Sequence, residues 1–380
     1  MPTRFAAAVS EHPIASTAVG EVVGQVLDAV GPQPAVAFLF ITGAHVDAAA
    51  EIARAVRELL APRVLAGGSA VSVIGGPQEV EERPGIALWA AQTGPVVPVR
   101  LDAVRTVDGW TVVGVPDNVS RDEPRTMVLL VDPLSFPVDA FIASLSDEWP
   151  ALTVIGGLAS AAQRPGGNRL MLDDDLHSDG AVGVIFPSGV SSRVVVSQGC
   201  RPIGDPLVVT RAADNIIHEL GGKPALERLQ QCVDRATPEE HRLLVQGIHL
   251  GVVVDERKEA FARGDFLVRA VLGAEKSTGG IAIGDHVALG TTVQFQVRDA
   301  ATADEDLRLL LRGDPATAAL VFTCNGRGVN FFGEPHHDAL LVHEAVGRGA
   351  VAGMFCAGEI GPVGARNFLH GYTASVLLFS

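Results

Sequence analysis

Short apolar runs alternate with amphipathic stretches along most of the chain, and this pattern predicts buried strands connected by helices. Residues 37–41 form an uninterrupted apolar run that is typical of a buried strand. Residues 47–60 follow with apolar positions on one helical face, and Asp47 stands where a helix-capping residue is expected. Two further strands are predicted at 63–66 and 85–90, so the first unit has the order strand, helix, strand, strand.

The same order recurs, which predicts an internal duplication. Related β-α-β units span about residues 37–91 and 127–186, and each has a glycine pair after its second strand. A looser third copy covers residues 319–379. Alternating strands and helices of this kind predict an α/β fold with buried, mixed sheets.

The pattern changes between the second and third copies. We predict a short helix at residues 214–220, a second at 224–234 and a third that begins with a capping box at 237–240. These helices are followed by predicted antiparallel strands at 247–255, 266–272 and 287–298, and by a helix at 304–311. We therefore expect two domains, at residues 1–211 and 212–380.

Composition narrows the classes of function. The chain has 380 residues and a net charge of −15, which argues against non-specific binding to nucleic acid or to anionic membranes. Four widely spaced cysteines show no zinc-like spacing, and no apolar run has the length of a transmembrane helix. With no apparent signal peptide, these features predict a cytoplasmic protein with free thiols.

The richest candidate chemistry lies in residues 353–371. Five glycines and a proline predict an irregular loop between two apolar strands, and such loops often present polar groups to a ligand. Four polar residues on this loop suit a zwitterion, namely Glu359, Arg366, Asn367 and His370. The alternative is a structural ion pair between Glu359 and Arg366.

A second candidate loop follows the predicted strand at 319–323. It contains Cys324, Asn325 and Arg327, of which Arg327 is suited to bind a carboxylate and Asn325 an amine or amide. The alternative is a glycine-rich turn with a solvent-exposed arginine. The glycine pairs Gly67-Gly68 and Gly156-Gly157 also allow two interpretations: backbone amides close to an anion, or tight packing, which we favour.

Several stretches together resemble the FIST family. They include the glycine-rich run at 358–371, the Gly-Cys-Arg-Pro-Ile-Gly segment at 199–204, and the segments at 266–273, 290–299 and 322–328. The resemblance covers nearly the whole chain. It implies an N-terminal and a C-terminal FIST domain in an intracellular sensory protein that binds a small ligand, such as an amino acid or a related metabolite.

We therefore expect a ligand-binding sensory protein without a catalytic residue, a cofactor or a metal. The signalling output is expected from a separate protein, because the two FIST domains account for the chain. Adjacent histidines at 336 and 337 point in different directions on a helix and do not complete a metal site.

Two alternatives remain open at the sequence level. One is a thiol-dependent hydrolase or transferase that uses Cys324 or Cys356 with a histidine base, His343 or His370. The other is a protein-interaction scaffold without a ligand.

Overall fold

The computed structural model describes residues 3–107 and 109–380, and most of the apolar runs are strands in it. The helices within these residues are α1 (Ala15–Val30), α2 (Ala49–Leu59), α3 (Val138–Glu148), α4 (Ala225–Arg235), α5 (Pro238–Leu244), α6 (Ala300–Leu311), α7 (Val329–Phe332) and α8 (His337–Ala345). A 3-10 helix, Gly43–Ala48, precedes α2. None of these helices has both the length and the apolar character needed to cross a lipid bilayer.

The strands of the first half are β1 (Arg4–Ser10), β2 (Val36–Thr42), β3 (Leu65–Ala70), β4 (Ser72–Gly75), β5 (Gln78–Glu81), β6 (Ile86–Gln92), β7 (Val97–Thr106), β8 (Gly109–Val113), β9 (Arg125–Val131), β10 (Leu152–Leu158), β11 (Leu170–Leu172), β12 (Asp175–His177), β13 (Ala181–Ile185) and β14 (Ser192–Gln198). Those of the second half are β15 (Cys200–Pro202), β16 (Leu207–Ala213), β17 (Ile216–Leu220), β18 (Lys223–Pro224), β19 (Ile248–Val253), β20 (Phe266–Glu275), β21 (Gly280–Ile283), β22 (Thr292–Arg298), β23 (Ala318–Cys324), β24 (Ala350–Cys356), β25 (Glu359–Val363), β26 (Arg366–His370) and β27 (Thr373–Phe379).

The described chain forms two compact units. The first consists of the described residues up to Val196 together with Leu307–Leu369 and Thr373–Ser380, and the second of Ser197–Asp306 with His370–Tyr372. The expected domains, 1–211 and 212–380, are each one continuous segment of the chain. Each compact unit instead combines segments that are separate in the sequence.

Three mixed sheets make up the first unit. Their strand orders are β1-β6-β2-β3-β11-β12, β26-β25-β10-β9-β13-β7-β8 and β14-β27-β23-β24-β4-β5. Each sheet contains one parallel pair next to one antiparallel strand: β2 pairs with β3 and β6, β9 with β10 and β13, and β23 with β24 and β27. The α/β class with mixed sheets is confirmed, while common ancestry of the three units stays a prediction.

One core joins the three sheets of the first unit. It contains side chains such as Phe38 of β2, Leu130 of β9 and Phe322 of β23, all without solvent exposure. The opposite face of each sheet is covered by helices: α1 and α2 on the first, α3 on the second, and α8 with the end of α6 on the third. This arrangement explains the long apolar runs, because their strands are buried on both faces.

The second unit is built around one antiparallel sheet that closes on itself. The pairing runs through β22, β16, β17, β21, β20 and β19, and β19 pairs again with β22. Alternate residues of its strands, including Leu250, Val293 and Phe295, form the enclosed apolar core.

Two local predictions were wrong. The helix expected at 214–220 is the strand β17, because Asp214-Asn215 forms a two-residue turn that joins it to β16, with Asp214 at φ 50°. The glycine-rich run after Gly358 is not an irregular loop, since it forms β25 and β26. Glu359 therefore lies on a strand that pairs with β10, opposite Gly157.

Candidate functional site

The carboxyl ends of the three parallel pairs are equivalent places in the three sheets, and each carries polar residues. Such strand ends are where open α/β sheets bind their ligands. At the first, the Thr42 hydroxyl accepts a hydrogen bond from the Gly85 N–H at 2.9 Å. The nearby 3-10 helix contains His45, whose pKa is lowered by burial and whose Nε2 has no hydrogen-bond partner. The end of the first parallel pair therefore carries a neutral imidazole, that of His45.

The second strand end is closed by hydrogen bonds. Asp132 follows β9 and is fully buried. Its Oδ2 accepts from the Ser135 hydroxyl at 2.6 Å, and its Oδ1 accepts from the Asn168 amide at 2.9 Å. Because both carboxylate oxygens have partners, Asp132 has a structural role.

The third strand end carries a buried ion pair. Arg327 comes directly after β23, in a tight turn in which its N–H donates to the Cys324 carbonyl at 2.8 Å. The guanidinium donates to both oxygens of Asp338, from Nε at 2.8 Å and from Nη2 at 2.9 Å. The Thr323 hydroxyl donates to the same carboxylate at 2.6 Å. Neither member of the pair has more than 1% exposure, so the charges are shielded from water.

The ion pair fixes both charges. Burial alone would raise the pKa of Asp338, but Arg327 and the hydrogen bonds to His337 and Thr323 hold it well below its usual range. Burial likewise opposes the charge of Arg327, and the attraction of Asp338 outweighs it and raises the pKa. The planar guanidinium also lies 5.2 Å from the ring centroid of Phe332.

Glu359 is a further ionisable group near this strand end. It has no solvent exposure, and one oxygen, Oε2, accepts from the Thr373 hydroxyl at 2.8 Å and the Thr373 N–H at 3.0 Å. Burial raises its pKa to about 8, although Thr373, Arg327 and a hydrogen bond with Cys324 each act to lower it. Glu359 is therefore largely protonated at neutral pH.

The parallel strands β23 and β24 each end in a cysteine, close to Arg327 and Glu359. Cys324 and Cys356 are register partners at the ends of β23 and β24, and partners in a parallel pair point to the same face. Burial raises the pKa of Cys356 well above its ordinary value, helped by Glu359 and Cys324. Cys324 is half-buried and is the more accessible of the two.

Two ionisable residues of this cluster, Arg327 and Glu359, each keep an unused hydrogen-bonding atom. Arg327 Nη1 and Glu359 Oε1 are buried and have no hydrogen-bond partner. Leaving such atoms unsatisfied costs about 1–3 kcal/mol each. We call Cys324, Arg327, Asp338, Glu359 and Thr373 the polar corner. It offers a donor on a cation, an acceptor on a carboxyl group and a thiol, which suits a small ligand with an acidic and a basic group.

A neighbouring strand contributes two carboxyl groups that the sequence did not indicate. Glu79 of β5 is 2% exposed and its Oε1 accepts from the Ala339 N–H at 3.0 Å, at the start of α8. Burial, with the nearby Asp338 and Glu81, raises its pKa to about 8. Glu81 accepts from the Val329 N–H at the start of α7. Both carboxyl groups thus accept a hydrogen bond from an N–H group in the first turn of a helix.

The remaining predicted ligand residues lie apart from the polar corner or have other partners. The Asn325 N–H donates to the Cys356 carbonyl at 2.9 Å. Arg366 is half-exposed, and its Nη2 atom lies 2.8 Å from Oδ1 of Asp147. Asn367 binds β10 through its side chain, and His370 belongs to the second unit. The structural ion pair considered for Glu359 and Arg366 is not formed, since each has a different partner.

Close packing accounts for the glycine pairs. Gly67 and Gly68 lie within β3, and Gly156 and Gly157 lie within β10, so all four are in paired strands. A Cβ atom at Gly67 would lie 2.2 Å from the Leu39 carbonyl oxygen. A Cβ atom at Gly157 would lie 2.3 Å from Cys356 Sγ. The packing interpretation therefore needs no ligand.

Sequence reasoning missed three members of this region, Asp338, Thr373 and Glu79. No group of three or more possible metal ligands occurs within residues 3–107 and 109–380. A buried arginine requires a carboxylate, but the burial of Arg327 is visible only in the structure.

Comparison with known families agrees with this architecture. The FIST N domain matches residues 35–223 and the FIST C domain matches residues 225–362. The chain belongs to the FIST family. The resemblance expected from the sequence is thus confirmed, and FIST domains are associated with sensing in signal transduction.

Relatives of this FIST protein are found in mycobacteria. It is 42% identical to an uncharacterised protein of Mycobacterium tuberculosis strain H37Rv over 99% of both chains. It is also 42% identical to an uncharacterised protein of Mycobacterium bovis, over 99% of this chain and 98% of the relative. The two domains therefore occur together over the same length in these relatives.

Proposed function

We propose that this FIST protein is a cytoplasmic sensor that binds a small amino acid or a related metabolite at the polar corner. The observation that carries the proposal is the pair of buried, unused atoms, Arg327 Nη1 and Glu359 Oε1, beside Cys324. Arg327 would bind the acidic group and Glu359 the ammonium group. A separate signalling protein would receive the output. None of the four cysteines, all of which lie within the described residues, forms a disulfide, which is consistent with a reducing compartment.

The ion pair with Asp338 prepares Arg327 for this role. Two of its nitrogens are held by one carboxylate, so the orientation of the third is fixed before a ligand arrives. Preorganisation of this kind reduces the entropy lost on binding. We assign the acidic group to Arg327 and not to Arg366, because the half-exposed Arg366 already lies 2.8 Å from Asp147.

The state of Glu359 couples amine binding to proton release. Because burial raises its pKa to about 8, the group is largely neutral at pH 7. A bound ammonium group favours the carboxylate and therefore lowers this pKa, so a proton leaves when the ligand binds. The affinity for an amino acid should consequently rise between pH 7 and pH 8.

Calorimetric titration with the common amino acids and their des-amino acids tests the proposal. The amino acid that binds the wild-type protein should lose about tenfold or more in affinity on Glu359→Gln, since a charge-assisted hydrogen bond is removed. Repeating the titration in buffers of different ionisation enthalpy should reveal one proton released. Arg366→Ala is the control and should leave the affinity unchanged. The site assignment is wrong if Arg366→Ala abolishes binding while Glu359→Gln does not.

A second candidate function is thiol chemistry at Cys324. The observation in its favour is that the carboxyl group of Glu359, with a pKa of about 8, is hydrogen-bonded to this thiol and is able to exchange a proton with it. Cys356 is a poor candidate, because its pKa is raised and its thiol is buried. Rapid labelling of Cys324 by iodoacetamide at pH 7, slowed by Glu359→Gln, would support this function. Labelling no faster than that of free cysteine would exclude it.

A further inference from the structure

A second group of buried polar side chains lies in the second unit, on the outer face of its closed sheet. His249 of β19 and Gln296 of β22 are register partners, so both side chains project from the same face. Their neighbours Leu250 and Phe295 point the other way, into the apolar core. Gln296 is 1% exposed and His249 is 5% exposed.

Gln296 has none of the hydrogen bonds that a buried amide requires. Both Oε1 and Nε2 are buried without a partner, and so is Nδ1 of His249. Gly251 makes room for the amide, because a Cβ atom there would lie 2.1 Å from Gln296 Nε2. Three unused polar atoms on adjacent residues are unusual, since buried polar groups are nearly always satisfied.

An aromatic ring and a guanidinium group lie close to the other residue of this pair, His249. The Tyr372 ring lies 4.3 Å from the His249 ring, and the Arg298 guanidinium lies 5.4 Å from the Tyr372 ring centroid. Tyr372 has a φ of 66°, a backbone conformation that is uncommon for residues other than glycine, asparagine and aspartate. Strain of this kind is concentrated at binding and catalytic sites.

The protonation state of His249 can be assigned. Burial, reinforced by the charge of Arg298, lowers its pKa to about 4, so the imidazole is neutral at pH 7. The charged group that faces it is Arg298. A neutral imidazole and a neutral amide are suited to a neutral ligand, and the adjacent Tyr372 ring suits a planar one.

We propose that Gln296 and His249 form a second binding site, which takes a planar, neutral ligand that presents a hydrogen-bond donor next to an acceptor. The Gln296 amide has the complementary donor and acceptor, and it would make two hydrogen bonds with the edge of such a group. Either a primary carboxamide or an aminopurine has this edge. The site uses residues of the second unit alone, so it is independent of the ligand at the polar corner.

Nicotinamide is the probe for a primary carboxamide, and adenine is the probe for an aminopurine. Calorimetry at millimolar concentrations should show binding of one of them to the wild-type protein. Gln296→Met keeps the size of the side chain and should weaken binding about tenfold or more, because two hydrogen bonds are lost. Gln294→Met is the matched control. The Gln294 amide already donates to the Gly204 carbonyl at 2.6 Å, so its removal should leave the affinity unchanged.

Binding of nicotinamide alone would identify a carboxamide site, and binding of adenine alone an aminopurine site. The proposal is overturned if neither probe binds, or if Gln294→Met weakens binding as much as Gln296→Met. Stability gives a second readout: the unliganded Gln296→Met protein should melt no lower than the wild type, because its unpaired atoms contribute nothing. A lower melting temperature would show that ordered water already satisfies the amide, and would also overturn the proposal. His249→Phe provides a second variant with the same expected loss of binding.

Discussion

Arg327 and Asp338 form a two-point ion pair in which both side chains are shielded from water, yet one guanidinium nitrogen remains unused. Removing one member leaves a buried charge without its counter-ion. We therefore expect Asp338→Leu to destabilise the protein by about 3–5 kcal/mol, measured by urea denaturation. The double variant Arg327→Met with Asp338→Leu should regain much of this loss. If the double variant is as unstable as the sum of the single variants, the two charges do not depend on each other.

The raised pKa of Glu359 predicts a pH-dependent stability. The unfolded group titrates near pH 4.5 and the folded group near pH 8, so the folded protein holds the proton more tightly. Its contribution is complete below about pH 4.5 and is lost as the pH rises to about 8, by on the order of 5 kcal/mol at most. Urea midpoints of wild type and Glu359→Gln should therefore converge at low pH, and the variant should be the more stable at pH 8.

Glu58→Gln is the control for that experiment, because Glu58 is an exposed residue of α2. It should follow the wild-type pH profile. Glu79 has the same raised pKa and remains in both proteins, so some pH dependence persists in Glu359→Gln. A wild-type profile that coincides with that of Glu359→Gln at every pH contradicts the assignment of a buried, protonated Glu359.

Gly157 should not tolerate a side chain. A Cβ atom would lie 2.3 Å from Cys356 Sγ and 3.0 Å from its Cβ, in a core that is already filled. We expect Gly157→Ala to cost about 1–3 kcal/mol in thermal or chemical unfolding, and Cys356→Ala to restore part of it. Gly20→Ala is the control, because at this position a side chain has room. Its new Cβ meets nothing within 4 Å on α1, so it should stabilise the protein by about 0.5–1 kcal/mol.

Asn367 should prove to be a structural residue. Its Oδ1 accepts from the Val154 N–H and its Nδ2 donates to the Leu152 carbonyl, each at 2.8 Å. Asn367→Ala leaves two buried backbone groups without partners and should cost about 2–4 kcal/mol. If calorimetry shows that the folded variant has lost its ligand while the melting temperature is unchanged, Asn367 is a ligand residue instead.

The sequence predicted most strands and the α/β class because their apolar runs are long and have few competing interpretations. The capping box at Thr237 was confirmed, with the Thr237 hydroxyl and the Glu240 side chain each hydrogen-bonded to the other residue's backbone. Residues 214–220 were assigned to a helix because a two-residue turn is too short to stand out from a polar helix end. The mixture of glycine and polar residues after Gly358 hid a hairpin in the same way.

The candidate site was only half predictable. Cys324, Arg327 and Glu359 were found from their position after apolar strands, which local pattern reveals. Asp338 and Thr373 were missed, because hydrogen bonds across 11 and 14 residues depend on tertiary placement. Glu79 is 260 residues from its partner Ala339, and no local pattern connects them.

The order of strands in the first unit has a consequence for biosynthesis. In the third sheet, β23 lies between β24 and β27, so both of its neighbours follow it in the chain. The strand β24 also pairs with β4, which lies far earlier in the chain. The strands β4 and β5 therefore leave the ribosome long before β24 has been synthesised. Until then the nascent chain exposes an unpaired strand edge, which is prone to aggregation. Assembly of the first unit is accordingly expected to wait until β24 has been synthesised, and a chaperone that shields β4 until then should raise the yield of folded protein.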